Sequence, residues 1–229
     1  MTDARGCDKV MLVIMSEYTF KKIGSEDALV EVFRLRFQVY CKERNFIKES
    51  DCPFGFETDE LDEHSAHFGA FDFCGQLVGA VRLIKPIANK FPIEYLYPDI
   101  VFGSSLPDRE ECAEISRLTI SKLYMGKNKS DFSNRSCIHE KPTLFIRRVS
   151  PIVTGLCDAM YQECRESGIN YCLALMEKPL WLLLKLHGFV FRPLGGEVDV
   201  YGMVTPYIID VIEHGKRGVL KLPDHSSLS

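Results

Sequence analysis

The chain is 229 residues long with a formal charge of −4, and 46% of its residues are apolar against 26% charged. That balance suits one soluble globular α/β domain and excludes a disordered or fibrous chain. An acidic total of this size also lacks the basic footprint of a nucleic-acid-binding protein.

Nine cysteines, an odd number with no Cys-x-x-Cys pair, fit reduced thiols in a cytoplasmic protein better than a disulfide framework. The apolar stretch Val10 to Met15 is too short for a secretory segment and far short of a membrane span, so no membrane span is expected. It reads instead as a first strand.

Ser25 opens a helix to Arg44, with Ala28, Leu29, Val32, Phe33, Leu35 and Val39 at helical spacing. Residues 45 to 60 hold Pro53 and Gly55 among carboxylates and form a long loop. The runs HSAHFGAFDF and QLVGAVRLI around Cys74-Gly75 form a β-hairpin that ends near Arg82 and Pro86. Pro92, Pro98 and Pro107 then break the chain into short pieces. CAEISRLTIS, residues 112 to 121, is the next strand; alternation puts Glu114 and Ser116 on one face and Arg117 on the other unless a bulge intervenes.

Residues 122 to 141 are polar and read as a mobile insertion. A helix from Thr143 to Ser167 follows, in which Pro151 predicts a kink or a late start. Beyond it come a strand over 170 to 176, a helix from Pro179 to His187, a strand over 189 to 192, a turn at Gly195-Gly196, a strand from Glu197 to Val204, a helix opened by Pro206, and a loosely ordered tail over 216 to 229. Residues 1 to 215 thus make one domain, with halves at about 1 to 121 and 142 to 215.

The charges along this frame are unusual for strands. Arg82 at a strand end and Glu114 and Arg117 inside an apolar strand are costly to bury alone, so they require partners. Arg36 on the first helix and Glu57, Asp59 and Asp62 in the loop can supply them, because a guanidinium fork holds carboxylate oxygens in pairs. Taken without further context, such a set is a structural ion-pair network or a solvated acidic loop.

Order and spacing add a second reading. The segments LRFQVYCKERNFI, ETDELDEHSAHFGAF, GAVRLI and AEISRLTIS resemble the amino-terminal half of the acyl-homoserine-lactone synthase family, itself similar to the bacterial N-acyl amino acid synthases. The family pattern is matched by Arg36 with Val39 and Tyr40, by Phe46, by Glu57, Asp59 and Asp62, by Arg82 with Leu83, and by Glu114, Ser116 and Arg117. The segments LHGFVFRPLG and YGMVTPYII also resemble acyltransferases associated with exosortase systems.

The resemblance implies a GNAT-like fold, an α/β single domain with a mixed central sheet flanked by helices. It implies an N-acyltransferase that moves a fatty acyl group from an acyl carrier protein thioester to an amine, with no bound cofactor or metal. Glu114 would be the catalytic base, and Arg36, Phe46, Glu57, Asp59, Asp62, Arg82, Ser116 and Arg117 would bind substrate. Phe46 stands where the family commonly has tryptophan, which favours an amino acid or related amine over adenosylmethionine. The Gly-rich pyrophosphate loop of coenzyme-A-dependent relatives is not visible before the long helix, so acyl-CoA is the less favoured donor. Lys141, Arg147 and Arg148 belong to a local basic excess over 122 to 148 that could dock an acidic carrier protein, or simply solubilise a loop.

Three other readings are weaker. Cys112, close to Glu114, lacks a recognisable histidine partner for nucleophilic catalysis. His64 and His67 are spaced for opposite faces of a strand and do not suit a shared metal. A non-catalytic acyl or carrier-protein binding module on the same fold is the alternative function.

Overall fold

The computed structural model describes residues 18–86, 90–98, 102–104, 106–122, 142–200 and 202–216, with the side chains of 142–148 and 216 outside the description. The expected strand Val10 to Met15, the insertion from 123 to 141 and the tail from 217 lie outside the described residues. The strands are β1 (Tyr18–Lys22), β2 (Ser65–Asp72), β3 (Leu77–Ile84), β4 (Cys112–Ile120), β5 (Tyr171–Met176), β6 (Arg192–Pro193), β7 (Val198–Asp199) and β8 (Met203–Asp210). The helices are α1 (Glu26–Phe37), α2 (Pro92–Leu96), α3 (Pro142–Glu166), α4 (Lys178–Leu186) and α5 (Val211–Lys216).

The fold is α/β, with helices flanking a mixed eight-stranded sheet of order β1-β2-β3-β4-β5-β8-β6 and β7 paired to β8. Cα proximity divides the chain into two compact units, Met1–Ala88 with Ile115–Met160, and Asn89–Glu114 with Tyr161–Ser229.

In the first unit, β1, β2 and β3 form an antiparallel meander in which Phe20 faces Ala70 and His67 faces Arg82. β1 was not expected: its two lysines hide the strand, and pairing to β2 supplies what alternation does not. β3 is buried along its whole length, and α1 packs Val32 and Leu35 against its Leu77 and Ala80. Helix α1 starts where expected, with Ser25 Oγ accepting from the Ala28 N–H. It does not run to Arg44 as an α-helix; Gln38–Glu43 widens into a π-helical turn, a device common near functional sites.

α3 is unbroken from Pro142 to Glu166 despite Pro151. It lies close against β1 and β3, since a Cβ on Gly155 would sit 2.3 Å from the Phe20 ring and one on Gly79 2.8 Å from Ile152.

In the second unit, β8 pairs antiparallel with β5, Leu173 facing Ile208, and with the short β6. The helix expected at Pro206 is a correction: Pro206 lies inside β8 opposite Leu175, its carbonyl accepts the Leu194 N–H, and the helix begins only at Val211. The proline signal for a helix start loses to the buried run Pro206 to Ile209, which the sheet covers. The expected strand 197 to 204 divides into β7 and the start of β8, joined by a tight turn at Gly202 (φ 129°) that folds them back on each other as an antiparallel pair, Val198 facing Val204. Trp181 on α4 stacks on Tyr207 and donates to the Phe191 carbonyl at 3.1 Å, a core role.

Candidate active site

The acidic loop before β2 converges on arginines from three different elements. Glu57 is fastened to α1 by its own N–H, which donates to the Phe33 carbonyl at 3.2 Å. Asp59 and Asp62 lie in a tight turn: the Asp59 N–H donates to Asp62 Oδ2 at 2.9 Å and the Leu61 N–H donates to Asp59 Oδ1 at 3.0 Å. This turn and the anchor at Glu57 together bring three carboxylates to the arginines.

The pairing closes on itself. Arg36 Nε donates to Glu57 and its Nη1 to Asp62 Oδ1 at 2.6 Å. Arg82 Nη1 donates to Asp59 and to Asp62 Oδ1, the latter at 2.8 Å. Arg117 Nε reaches Glu57 Oε1 at 3.1 Å and its Nη2 reaches Asp59 Oδ2 at 2.9 Å. In order, Arg36, Glu57, Arg117, Asp59, Arg82 and Asp62 form a ring of alternating charge. Three guanidiniums balance three carboxylates, so the buried set is formally neutral.

Burial is uneven around the ring. The side chains of Arg36 and Arg82 are 1% exposed, Glu57 3% and Asp62 8%, whereas Asp59 keeps 24% and Arg117 27%. Four members form a dry scaffold and two face solvent. Although burial opposes the charge on Asp62, the Arg36 and Arg82 guanidiniums outweigh it and hold its carboxyl below the usual range. Arg36 Nη2 and Arg82 Nη2 are buried without a hydrogen-bond acceptor among the described residues.

Arg117 enters this ring only because its backbone is irregular. Its φ of 52° is left-handed in the middle of β4, which turns the side chain to the face that carries Ser116. Ser116 Oγ accepts from Arg82 Nε at 2.9 Å. The Arg117 guanidinium also lies over the Tyr40 ring at 5.5 Å, and Tyr40 packs beside Phe46 at 6.0 Å. The structure therefore brings together Arg36, Glu57, Asp59, Asp62, Arg82, Ser116 and Arg117, with Phe46 joined through Tyr40.

Glu114 is held in the second unit. It is 1% exposed, and its Oε2 accepts the Ile93 N–H at 3.0 Å at the start of α2. Arg109, which lies over the Phe91 ring and pairs with Glu94, braces the same turn. Lys141 lies outside the described residues, and Arg147 and Arg148 lie in α3 with their side chains outside the description. Burial pushes the Cys112 thiol up to about 12, so it stays protonated and is no nucleophile at neutral pH.

Two further side chains border the ring, His67 as a core histidine and Glu43 as one not anticipated. His67 on β2 is 5% exposed, with Nε2 3.6 Å from Asp62 Oδ1 and its ring edge-on to Phe33. Its position opposite Arg82 follows from register, which only the sheet supplies. Glu43, at the end of the π-helical turn, accepts from Ser121 Oγ at 2.6 Å and from the Lys122 N–H at 3.1 Å, fixing the exit of β4. In the sequence it stands between Lys42 and Arg44 and carries no signal that sets it apart from an ordinary surface charge. Among the described residues no group of three or more His, Cys, Asp or Glu side chains could hold a metal ion. Among those residues no helix is long and apolar enough to cross a membrane.

Residues 35–132 match the family model described as an acetyltransferase (GNAT) domain. No curated protein sequence matches the chain. Among solved structures, the acyl-homoserine lactone synthase LasI superposes with a TM-score of 0.60 at 13% identity, covering 85% of this chain and 89% of its own. The CoA-dependent acyl-homoserine lactone synthase BjaI, with MTA, gives 0.59 at 21% identity over 88% of this chain and 90% of its own. FeeM, an N-acyl amino acid synthase from uncultured soil microbes, gives 0.56 at 15% identity over 87% and 93%. At such identities the likeness is one of fold, and that fold is GNAT-like, as the sequence resemblance implies.

Proposed function

We propose that the chain is an N-acyltransferase that moves an acyl group from a thioester to the amine of an amino acid or related compound. The observation that carries this reading is the closed ring of six charges with two members, Asp59 and Arg117, left about a quarter exposed beside the rings of Tyr40 and Phe46. Access from solvent at these two members, and at none of the other four, is what a substrate would need. The shared fold of acyl-homoserine lactone synthases and an N-acyl amino acid synthase supports the same reaction class.

In this mechanism Asp59, with Asp62 behind it, attracts the cationic amine, Arg117 holds Asp59 in position, and Arg36, Glu57 and Arg82 complete the binding set and orient the carboxylates. Glu114, two residues before Ser116 on the same strand, takes the proton that the ammonium must lose before its nitrogen attacks. The nitrogen adds to the thioester carbonyl, and N–H donors around the left-handed Arg117 and the Ser116 hydroxyl stabilise the oxyanion. Collapse forms the amide, breaks the C–S bond and expels the thiolate, which takes up the second proton that the attacking nitrogen loses, so no covalent enzyme intermediate forms. The donor favoured by the chain is an acyl carrier protein, docked through Lys141, Arg147 and Arg148. The CoA-dependent synthases among the similar structures make acyl-CoA the competing donor to assay.

Kinetics of the wild type and two variants test this. With acyl carrier protein and acyl-CoA thioesters offered against a panel of amino acids, Glu114→Gln should lower kcat by roughly 10²-fold or more with donor binding retained. Asp59→Asn should raise KM for the amine instead. Equal turnover in wild type and Glu114→Gln would assign the base to another group, and retained acyl binding with no turnover by wild type on any acceptor would favour a non-catalytic acyl or carrier-protein binding module.

A further inference from the structure

The acidic loop carries a second chemical feature, independent of its carboxylates. Cys41, inside the π-helical turn, and Cys52, in the loop, are both buried at 1% and 8% exposure, and the Cys41 thiol donates to Cys52 Sγ at 3.9 Å. The two thiols flank the site: Cys41 follows Tyr40, whose ring carries Arg117, and Cys52 stands five residues before Glu57. We propose that Cys41 and Cys52 form a reversible disulfide that staples the acidic loop to the π-helical turn and slows the enzyme.

The segment between them suits such a reaction. Lys48, Glu49, Ser50 and Asp51 are exposed and Phe54 is 84% exposed, so the covering of Cys52 is a surface turn rather than a strand. That turn is held by the hydrogen bonds of the Cys52 N–H to the Glu49 carbonyl and of the Gly55 N–H to the Cys52 carbonyl, both 3.0 Å. Opening this turn frees Cys52 without breaking a ladder. A second close pair, Cys164 and Cys172 at 3.5 Å, joins the end of α3 to β5 and has no such loop to open.

The chemistry balances with a peroxide as oxidant. The Cys52 thiol, exposed when the turn opens, loses its proton and attacks hydrogen peroxide as thiolate; it becomes a sulfenic acid and expels hydroxide, which that proton turns into water. Cys41 sulfur displaces hydroxide from that sulfenic acid, the S–S bond forms, and the released proton makes a second water. Burial pushes the Cys41 thiol up to about 12, so its reaction waits for the same opening. Closing the sulfurs from 3.9 Å to a bond of about 2 Å draws the loop and the turn together. Shifts near 1 Å are enough to change rates in an active site. A dithiol reductant reverses the step.

The test uses the full chain in a Cys74→Ser background, which removes the exposed thiol from the tryptic peptide Glu49–Arg82. After treatment with hydrogen peroxide, the peptides Phe37–Lys42 and Glu49–Arg82 should appear joined and lighter by two hydrogens. Amide exchange over residues 45 to 57 should slow, and acyl transfer should fall by roughly tenfold or more and return with dithiothreitol. Cys52→Ser should keep its basal rate and lose the peroxide response. Unlinked peptides, or a link between Cys164 and Cys172 alone, would overturn the proposal; so would a Cys41–Cys52 link with unchanged exchange and turnover. Peptide mass and amide exchange do not depend on the proposed activity, so a wrong reading of the substrate would leave this test standing.

Discussion

A single backbone angle determines what Arg117 can do. In a regular strand its side chain would point away from Ser116, leaving Glu57 with Arg36 alone and Asp59 with Arg82 alone; at φ 52° it closes the ring. Residues at such φ values cost of order 1–3 kcal/mol and persist where the surroundings over-determine them, and here four hydrogen-bonded contacts and an aromatic face do so. Removing a member of the dry part, such as Arg36, leaves buried carboxylates uncompensated and should cost about 3–5 kcal/mol. His67 sets a pH dependence. Burial lowers its proton affinity, and the Arg36 and Arg82 charges add to that against the opposing pull of Asp62. The folded protein therefore keeps His67 neutral, while the unfolded chain takes up a proton below about pH 6.5. Stability is complete above that value and declines as pH falls from there toward the lowered folded pKa. Thermal midpoints between about pH 7 and 5 should fall in the wild type and change less in His67→Phe; parallel curves would assign the proton to another group.

Among the elements, the contact of α3 with the meander is the most sharply defined. Gly155 faces the Phe20 ring so closely that an added methyl overlaps it, and the ring is held by the pairing of β1 to β2. Gly155→Ala should destabilise the protein by about 1–3 kcal/mol through overpacking, measured by urea denaturation, with much of the loss recovered when Phe20→Leu makes room. No recovery in the double variant would mean that the strain lies elsewhere in the helix. Most elements were legible from pattern: the hairpin of β2 and β3, β4, α3, β5 and α4 stand where alternation, caps and breakers put them. The misses share a cause. β1, the π-helical turn and Pro206 inside β8 depend on neighbours far away in the chain, and local propensity is silent about neighbours.

For the molecule as a whole, charge is distributed rather than merely acidic. The net value is −4, yet the stretch from 122 to 148 holds seven Lys and Arg against Asp131 and Glu140. If that excess receives an acidic carrier protein, replacing Arg147 and Arg148 together by Gln should weaken carrier binding in low salt, and the difference should shrink as salt rises. Identical affinities in titration calorimetry would move the docking surface elsewhere. The amino acids alone determined that Arg82, Glu114 and Arg117 needed partners, that Arg36 and the loop carboxylates could supply them, and that the order along the chain resembles a family with a GNAT-like α/β frame. Which carboxylate meets which arginine, that the six close into a ring, and that only Asp59 and Arg117 remain wet were decided by tertiary structure, because register, a left-handed residue and burial arise only when distant segments pack.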